Sequence, residues 1–452
     1  MALNSEQSVA LQALKAGKNI FLSGGAGVGK TFTIREFVQY LNNLGKNVLL
    51  TAPTGVAALS IGGVTLSRAF KIPFGALTYK KKTYSANDEI INADVIIIDE
   101  ISMCRIDTFD FISNKILDAN ETRRNRGLSN IQLIVVGDFF QLPPVMTHKE
   151  SAILNKYYGE DIGLGYAFMS KFWKFFDFYN IMLTKIERQH DESFINNLNN
   201  IRTGGKSYIE QIVKYSSQSR IDGAIELCGK RDEALEINNR ELNKIPGSAY
   251  AYTATKTGDA TENDVIADDV LNIKVGARVM TLVNDYTYGY NNGSLGTVTG
   301  LYSNAIVVKL DTGNSVIVQP FTWEVYNYKI ELDEKKQERL TEYVSGTFTQ
   351  FPLKLAYAIT IHKSQGQTYE EVNISPYCWE CGQLYVAISR AKRLDRVYFN
   401  YAPDRRYVLV SLNVIKFYNS IRYGGNIEAE VEKENTSSMS DMDKVLGLIK
   451  RI

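Results

Sequence analysis

The residues with the plainest chemistry lie near the start of the chain. Gly24-Gly-Ala-Gly-Val-Gly-Lys30-Thr31 has the spacing G-x-x-x-x-G-K-[ST] and stands between an apolar run, Ile20 to Leu22, and a stretch with helical spacing, Thr33–Leu44. Glycines at these positions let successive backbone N–H groups curl around a phosphate chain. Lys30 then reaches the outer phosphates, and the Thr31 hydroxyl can ligate magnesium. A second apolar run ends in two carboxylates, Ile96-Ile-Ile-Asp99-Glu100. That places Asp99 beside a metal ion and Glu100 where an attacking water could be activated. One carboxylate alone would suit a kinase or a binding switch; the pair favours hydrolysis. A third run, Val135-Val-Gly-Asp138-Phe-Phe-Gln141, carries an amide that can sense a terminal phosphate. Magnesium-dependent ATP hydrolysis is the chemistry these three segments imply.

They can cooperate only if their loops leave the same edge of one sheet. Ile20–Leu22, Val48–Leu50, Val95–Ile98 and Leu133–Val136 are nearly all apolar, as strands buried on both faces are, and helical stretches such as Thr33–Leu44 and Thr108–Ala119 alternate with them. This predicts a doubly wound α/β domain over residues 1–180, with the three loops at the carboxyl ends of parallel strands. Further on, Phe194–Ile201 and Arg231–Leu242 read as helices. After Val275 the pattern changes to short alternating strands punctuated by glycines, with a hairpin at Asp311-Thr-Gly313. Residues 295–350 are expected to form a small β-barrel-like insertion in a second α/β domain made of 181–294 and 351–423. Strands are expected near Val372–Ile374 and Arg396–Asn400. The polar tail, 424–452, is expected to be disordered in its first half.

Composition excludes little by itself. The 452 residues carry 51 Lys plus Arg against 50 Asp plus Glu, so any binding of a polyanion must come from local clusters. One basic run, Thr122-Arg123-Arg124-Asn-Arg126, reads as a solvated loop. Four cysteines form no disulfide framework over this length, which fits a reducing compartment. Cys378-Trp-Glu-Cys381 has neither a second pair nor a histidine at ligand spacing and reads as ordinary packing. No run of about 18 apolar residues predicts a membrane span. The opening MALNSEQSVALQAL resembles neither a signal nor a transit segment, so a cytoplasmic protein of bacterial or phage type is expected. No coiled-coil seam is visible, and a monomer is expected.

The remaining blocks point further. Leu3-Asn-Ser-Glu-Gln7 precedes the phosphate loop, and Ala52-Pro53-Thr54-Gly55-Val-Ala-Ala-Leu59 follows it. IIIDEISM (96–103) leads into IDTFDFISNKILDA, then comes VVGDFFQLPPV (135–145). Leu183-Thr-Lys-Ile-Glu-Arg188-Gln189 is followed by FINNLNNIRTG (194–204). Asn292-Gly-Ser-Leu-Gly-Thr-Val298, PLKLAYAITIHKSQGQT (352–368) and LYVAISRAK (384–392) complete the series. In this order and spacing, over most of Leu3–Asn400, they resemble superfamily 1 DNA helicases, specifically the petite integration frequency (PIF) family and its RecD-like relatives.

The resemblance implies two RecA-like P-loop domains with parallel sheets, a small β-barrel-like insertion in the second, and ATP between them. Gln7 would read adenine, while Gly25, Ala26, Gly27, Val28, Gly29, Lys30, Thr31, Phe32 and Gly366 would bind the nucleotide. Thr31 and Asp99 would hold Mg2+. Lys30, Asp99, Glu100 and Gln141 would act in hydrolysis, with Arg188 and Arg390 reaching the γ-phosphate from the second domain. Single-stranded DNA would be held by Pro53, Thr54, Gly55 and Thr65 from the first domain, and by Thr360, His362, Lys363 and Ser364 from the second. Phe70-Lys-Ile-Pro73-Phe74-Gly75 stands where relatives carry a wedge, and its aromatic rings, Phe74 among them, either stack on the last base pair or pack under a loop. Two positions depart from the family: Leu66-Ser67 replaces a histidine-serine pair, and Tyr357 replaces a tryptophan. The implied activity is ATP-driven 5′-to-3′ movement on single-stranded DNA and unwinding of tailed or forked duplex, with quadruplexes and RNA–DNA hybrids as further substrates. The rival reading is a P-loop ATPase stimulated by single strands that acts as a translocase or loader without separating strands.

Overall fold

A computed structural model of the chain describes residues 3–73, 75–78, 85–189, 191–258, 260, 265, 267–285, 287–290, 292–332, 338–421 and 423, with backbone alone at 56, 59, 325–332, 338–343 and 345. Phe74 and the tail from 424 lie outside the described residues, so the two roles open to Phe74 and the disorder expected of the tail do too.

The apolar runs of the first half form one parallel sheet of six strands: β1 (Ile20–Gly24), β2 (Val48–Ala52), β3 (Val64–Thr65), β4 (Val95–Ile98), β5 (Gln132–Gly137) and β6 (Tyr179–Leu183), in the order β3-β2-β4-β5-β1-β6. Their near-continuous hydrophobicity follows from burial on both faces. Ile20, Leu22, Val95, Ile97, Ile134 and Val136 face one core, with Ala10, Leu14 and Phe37 from the helices Ser5–Lys15 and Lys30–Asn43. Phe21, Ile96, Ile98, Leu133 and Val135 face the other.

This second core is aromatic. Phe139 packs edge-on against Trp173 and Phe417, with ring centroids 5.6 and 5.4 Å away, and Phe168 stacks on Phe417 at 4.3 Å. Each ring so enclosed contributes about 1.5–3 kcal/mol of hydrophobic free energy, and each edge-on pair about 0.5–1.5 kcal/mol beyond that.

The compact units divide the chain differently from the expected boundaries. The first takes the residues up to Tyr208, then Glu380–Ser389, then the chain from Val408; the second takes Ile209–Trp379 and Arg390–Tyr407. Pairing is the reason for the first difference, since β6 runs beside β1 from Ile20↔Tyr179 to Gly24↔Leu183 and cannot belong elsewhere. The late segment is held because the helix Leu412–Ser420 supplies Phe417 and Tyr418 to the aromatic core.

In the second unit, Ala358–Thr360, Ile225–Cys228, Val372–Ile374 and Val397–Phe399 form a parallel sheet in that spatial order. The expected β-insertion is an antiparallel sheet whose order is Ser315–Val318, Ile306–Leu310, Leu295–Leu301, Arg278–Thr281, Leu353–Leu355. It reaches beyond 295–350 at both ends because Val279 and Leu353 share a core with Val298, Val308 and Val316. Asp311-Thr-Gly313 turns its hairpin, with Leu310 N donating to Asn314 O at 2.8 Å. The strands Phe321–Leu332 and Glu338–Gln350 pair with each other, and the second of them pairs with Thr255–Gly258. No helix among the described residues is long and apolar enough to cross a membrane.

Candidate nucleotide site

The phosphate loop leaves β1 at Gly24 and enters the helix Lys30–Asn43 at Gly29, whose φ of 84° is the left-handed conformation glycine tolerates. A methyl group at Gly29 would also run into the Gln7 amide. Gln7 is 3% exposed and spends its side chain locally: Oε1 accepts from Asn4 N (3.1 Å) and Nε2 donates to Val28 O (3.1 Å). The first bond closes a capping box on the helix Ser5–Lys15, and the second fixes the loop. Ala26 N donates to the Tyr385 hydroxyl (2.8 Å), and the Gly27 carbonyl accepts from Glu187 N (2.8 Å) and Arg188 N (3.2 Å). Lys30 Nζ donates to the carbonyls of Gly24 (2.8 Å) and Gly25 (2.9 Å). Burial lowers the pKa of Lys30, opposed by the carboxylates of Asp138, Glu100 and Asp99. Such an ammonium gains from a phosphate that supplies further negative charge.

Asp99 is 4% exposed at the end of β4 and accepts a hydrogen bond from the Thr31 side chain. Burial, then the charge of Glu100, pushes its carboxyl well above the ordinary carboxylate range. Glu100 N donates to Asp99 Oδ1 (2.8 Å), and the Glu100 backbone has φ 49°, ψ 46°. A non-glycine residue in this region costs roughly 1–2 kcal/mol, a local strain at the junction between β4 and the turn Ile101–Met103. The hydroxyl and carboxylate of Thr31 and Asp99, which bond each other, are the hard oxygen donors that would hold Mg2+. When bound there it would offset the charge gathered on the phosphates. Among the described residues no group of three or more His, Cys, Asp or Glu could hold a metal; Cys378 is buried and Cys381 half-buried, both as free thiols.

Beneath the loop lies a cluster whose roles the sequence left unassigned. Asp138, 0% exposed at the end of β5, is held by Arg202 through two bonds, Nε to Oδ2 (2.8 Å) and Nη2 to Oδ1 (2.7 Å). The guanidinium also sits 4.7 Å from the Phe140 ring centroid and 5.9 Å from that of Tyr418. Burial opposes its charge, but Asp138 prevails and raises the pKa of Arg202 above its ordinary value. The Tyr418 hydroxyl accepts from Phe139 N (3.1 Å) and bonds Ser23 Oγ (2.8 Å). Gln141 is 3% exposed in the turn that follows, its N–H bonded to Asp138 O at 2.9 Å. Gly382 (φ 73°) abuts that turn closely enough that a methyl group would strike the carbonyls of Phe140 and Gln141. Arg202 was visible only as one letter of FINNLNNIRTG, and Tyr418 had no motif around it.

The other expected residues are placed as follows. Arg188 belongs to the first unit, not the second as expected, because its backbone is tied to Gly27; its Nη1 donates to Ser389 O at 2.9 Å. Arg390 belongs to the second unit, 1% exposed, with Nη1 directed to Ser364 O (3.4 Å) and Gln367 O (3.2 Å). Gly366 occupies an exposed turn. In the first unit, Pro53 and Thr54 line a cavity of about 300 Å³ together with Ser67, Pro73 and Arg105. Thr54 Oγ1 caps Ala57 N (3.2 Å) beside Gly55, and Thr65 Oγ1 caps Arg68 N (3.3 Å). In the second unit, Thr360 caps the turn that carries His362 and Lys363, both half-buried. Ser364 is fully enclosed and donates to Ile361 O (2.7 Å), so it shapes this turn instead of facing outward.

Of the two roles the sequence leaves open to Phe70, the structure shows packing, since the ring is 0% exposed in the aromatic core. Arg123 is no solvated loop residue: it is 2% exposed near the end of the helix Ile106–Asn125, bonded to Ser129 O, Ile91 O and Asp94.

The model of PIF1-like helicases matches residues 2–211, and that of the UvrD-like helicase C-terminal domain matches 355–398. The chain is 30% identical to a Campylobacter jejuni protein named ATP-dependent DNA helicase Pif1, over 94% of this chain and 99% of that protein. The chain belongs to the PIF1-like helicase family. A Bacteroides Pif1 helicase solved with ADP-AlF3 and single-stranded DNA is 34% identical, with a TM-score of 0.75, covering 94% of this chain and 100% of that one. A structure described as two coordinating Pif1 helicases at forked double-stranded DNA is 32% identical, with a TM-score of 0.74 over the same shares.

Proposed function

We propose that this chain is an ATP-dependent DNA helicase that moves 5′ to 3′ along single-stranded DNA and separates tailed or forked duplex. The observation that carries the reading is the assembly of Lys30, the Thr31–Asp99 contact and Glu100 around one glycine loop, in a chain that matches this family almost end to end. Lys30 exchanges its two carbonyl partners for phosphate oxygens. Glu100 draws the proton from a water that attacks the γ-phosphorus as the bond to the β–γ bridging oxygen breaks, releasing ADP and inorganic phosphate, and Gln141 holds the phosphoryl oxygens through its amide. Arg188, already tied to the loop, supplies positive charge to the transferring group; Arg390 is assigned the same task by its motif. Thr31 and Asp99 would hold Mg2+, which would offset the charge on the phosphates. Pro53, Thr54, Gly55, Thr65, Thr360, His362 and Lys363 track the strand backbone with small hydroxyls and few full charges, which suits a grip that must release at each step.

The experiment is unwinding of two duplexes, one with a 5′ single-stranded tail and one with a 3′ tail, with Lys30→Ala as the inactive control. The reading requires ATP-dependent opening of the 5′-tailed duplex. Opening from the 3′ tail would reverse the direction. ATP turnover stimulated by DNA with neither duplex opened would leave a translocase or loader in place of a helicase.

A further inference from the structure

Asp138 is a fully enclosed carboxylate at the end of β5, the strand between the one that carries the phosphate loop and the one that ends in Asp99. A site for a polyphosphate should not tolerate it. Asp99 and Glu100 already stand nearby, and of the neighbouring carboxylates Asp138 attracts the Lys30 ammonium most strongly. Left bare, it would repel the phosphates and hold Lys30 back from them. The fold retains it for another reason: Oδ1 accepts from Phe140 N (3.2 Å) and lies 3.5 Å from the Tyr418 hydroxyl, which shapes the turn leading to Gln141.

Arg202 resolves the conflict. Its two bonds match both carboxylate oxygens, the rings of Phe140 and Tyr418 fix the plane of the guanidinium, and its side chain is only 12% exposed. It also lies against the loop, since a methyl group at Gly25 would sit 3.7 Å from its Cδ and 3.8 Å from its Nε. We propose that Arg202 is a positioning residue of the nucleotide site: it cancels the charge of Asp138, leaving Lys30 to the terminal phosphates, and acts through that carboxylate without touching the nucleotide. The inference rests on the ATP-hydrolysing reading above.

A double-mutant cycle tests it, with KM and kcat for DNA-stimulated ATP turnover measured on wild type, Arg202→Gln, Asp138→Asn and the double variant. Arg202→Gln leaves a buried charge unpaired and should raise KM on the order of thirtyfold, with kcat within about threefold. Removing that charge as well should return KM in the double variant to within about fivefold of wild type. A double variant as impaired as Arg202→Gln, or an Arg202→Gln enzyme with wild-type KM, overturns the proposal. If Arg202→Gln alone does not fold, the double variant decides: its asparagine and glutamine can still bond, so a near-normal KM supports the role and a raised one refutes it. A wild-type protein that turns over no ATP would sink the ATP reading and this inference together, whereas an active wild type with a failed cycle sinks this inference only.

Discussion

Gly382→Ala would place one methyl group in a turn far along the chain from the nucleotide loop, yet its cost and its effect on catalysis can both be worked out. Gly382 has φ 73° and precedes the helix Gln383–Ile388, where an alanine would pay roughly 1–2 kcal/mol for its backbone alone. Its Cβ would also press on the carbonyls of Phe140 and Gln141, an overpacking worth about 1–3 kcal/mol. Phe140 cannot yield easily, because its ring is stacked on Tyr418 at 4.8 Å and 10°. Nor can Gly382 retreat, with its N–H bonded to Leu409 O at 3.0 Å. Gln141 must therefore move. The expected loss of stability is about 2–5 kcal/mol, read from the urea midpoint of the transition reported by Trp173, which lies in the same unit. The kcat of DNA-stimulated ATP turnover should fall about ten- to a hundredfold, the range expected for a small misplacement of a catalytic group, if Gln141 has the role proposed for it. Gly382→Asn separates the two causes, since asparagine tolerates the backbone angle but keeps the steric clash. Gly382→Ala with an unchanged midpoint and unchanged kcat would refute the whole chain of reasoning.

Glu100→Gln should retain nucleotide binding and lose on the order of 10²–10⁴ in kcat, the usual contribution of a positioned base; retention of turnover would remove Glu100 from that role. Phe417→Ala should destabilise the first unit by about 3–5 kcal/mol, because its ring contacts Phe21, Phe139, Phe168 and Trp173; differential scanning calorimetry of the whole chain checks this. Lys363 gives a pH dependence. Burial first, then Lys354 and Arg231, outweigh Asp268 and lower its pKa to about 8. Since the unfolded chain binds this proton more tightly, the folded state is penalised below pH 8 and relieved as pH rises from about 8 toward the usual lysine value of about 10.4. A phosphate contact at this ammonium runs the other way: DNA affinity measured at pH 7 and pH 9 should decline across that step, and the salt slope should fall by about one charge. Lys363→Arg should abolish the decline, and a persistent decline in that variant would assign it to another group.

Where a site's residues lie in short motifs at strand ends, their coming together was legible in the sequence. The phosphate loop, Asp99–Glu100 and Gln141 each follow an apolar strand, and the uninterrupted hydrophobicity of those strands reported burial on both faces. Legibility ended where pairing is distant and the residue type is ordinary. Nothing local marks Arg202 as the partner of Asp138, because a terminal arginine on a helix is more often a solvated end. Tyr385 stands inside a recognisable motif, yet its hydroxyl meets Ala26 N, 359 positions earlier. The first compact unit runs past the boundary expected near 180 because β6 pairs with β1; with Ile181 and Leu183 buried and its neighbours half-exposed, its sequence reads like an edge of either domain. Arg123 illustrates the opposite error: a cluster of arginines suggested solvent, while three separate acceptors enclose one of them.

The bond from Ser23 to Tyr418 joins residues 395 positions apart, which bears on how the protein is made. A ribosome adding about 5–20 residues per second needs roughly 20–80 s between the two. Throughout that interval the nascent first sheet lacks the rings of Phe417 and Tyr418, and Phe21 and Phe139 have an uncovered side. The whole of the second unit must emerge before the cover arrives. A chain stalled or cleaved before Val408 would carry every nucleotide-loop residue and still lack the floor on which that loop rests. Chains that stop short of those two rings therefore present a sticky aromatic face that chaperones and proteases can recognise.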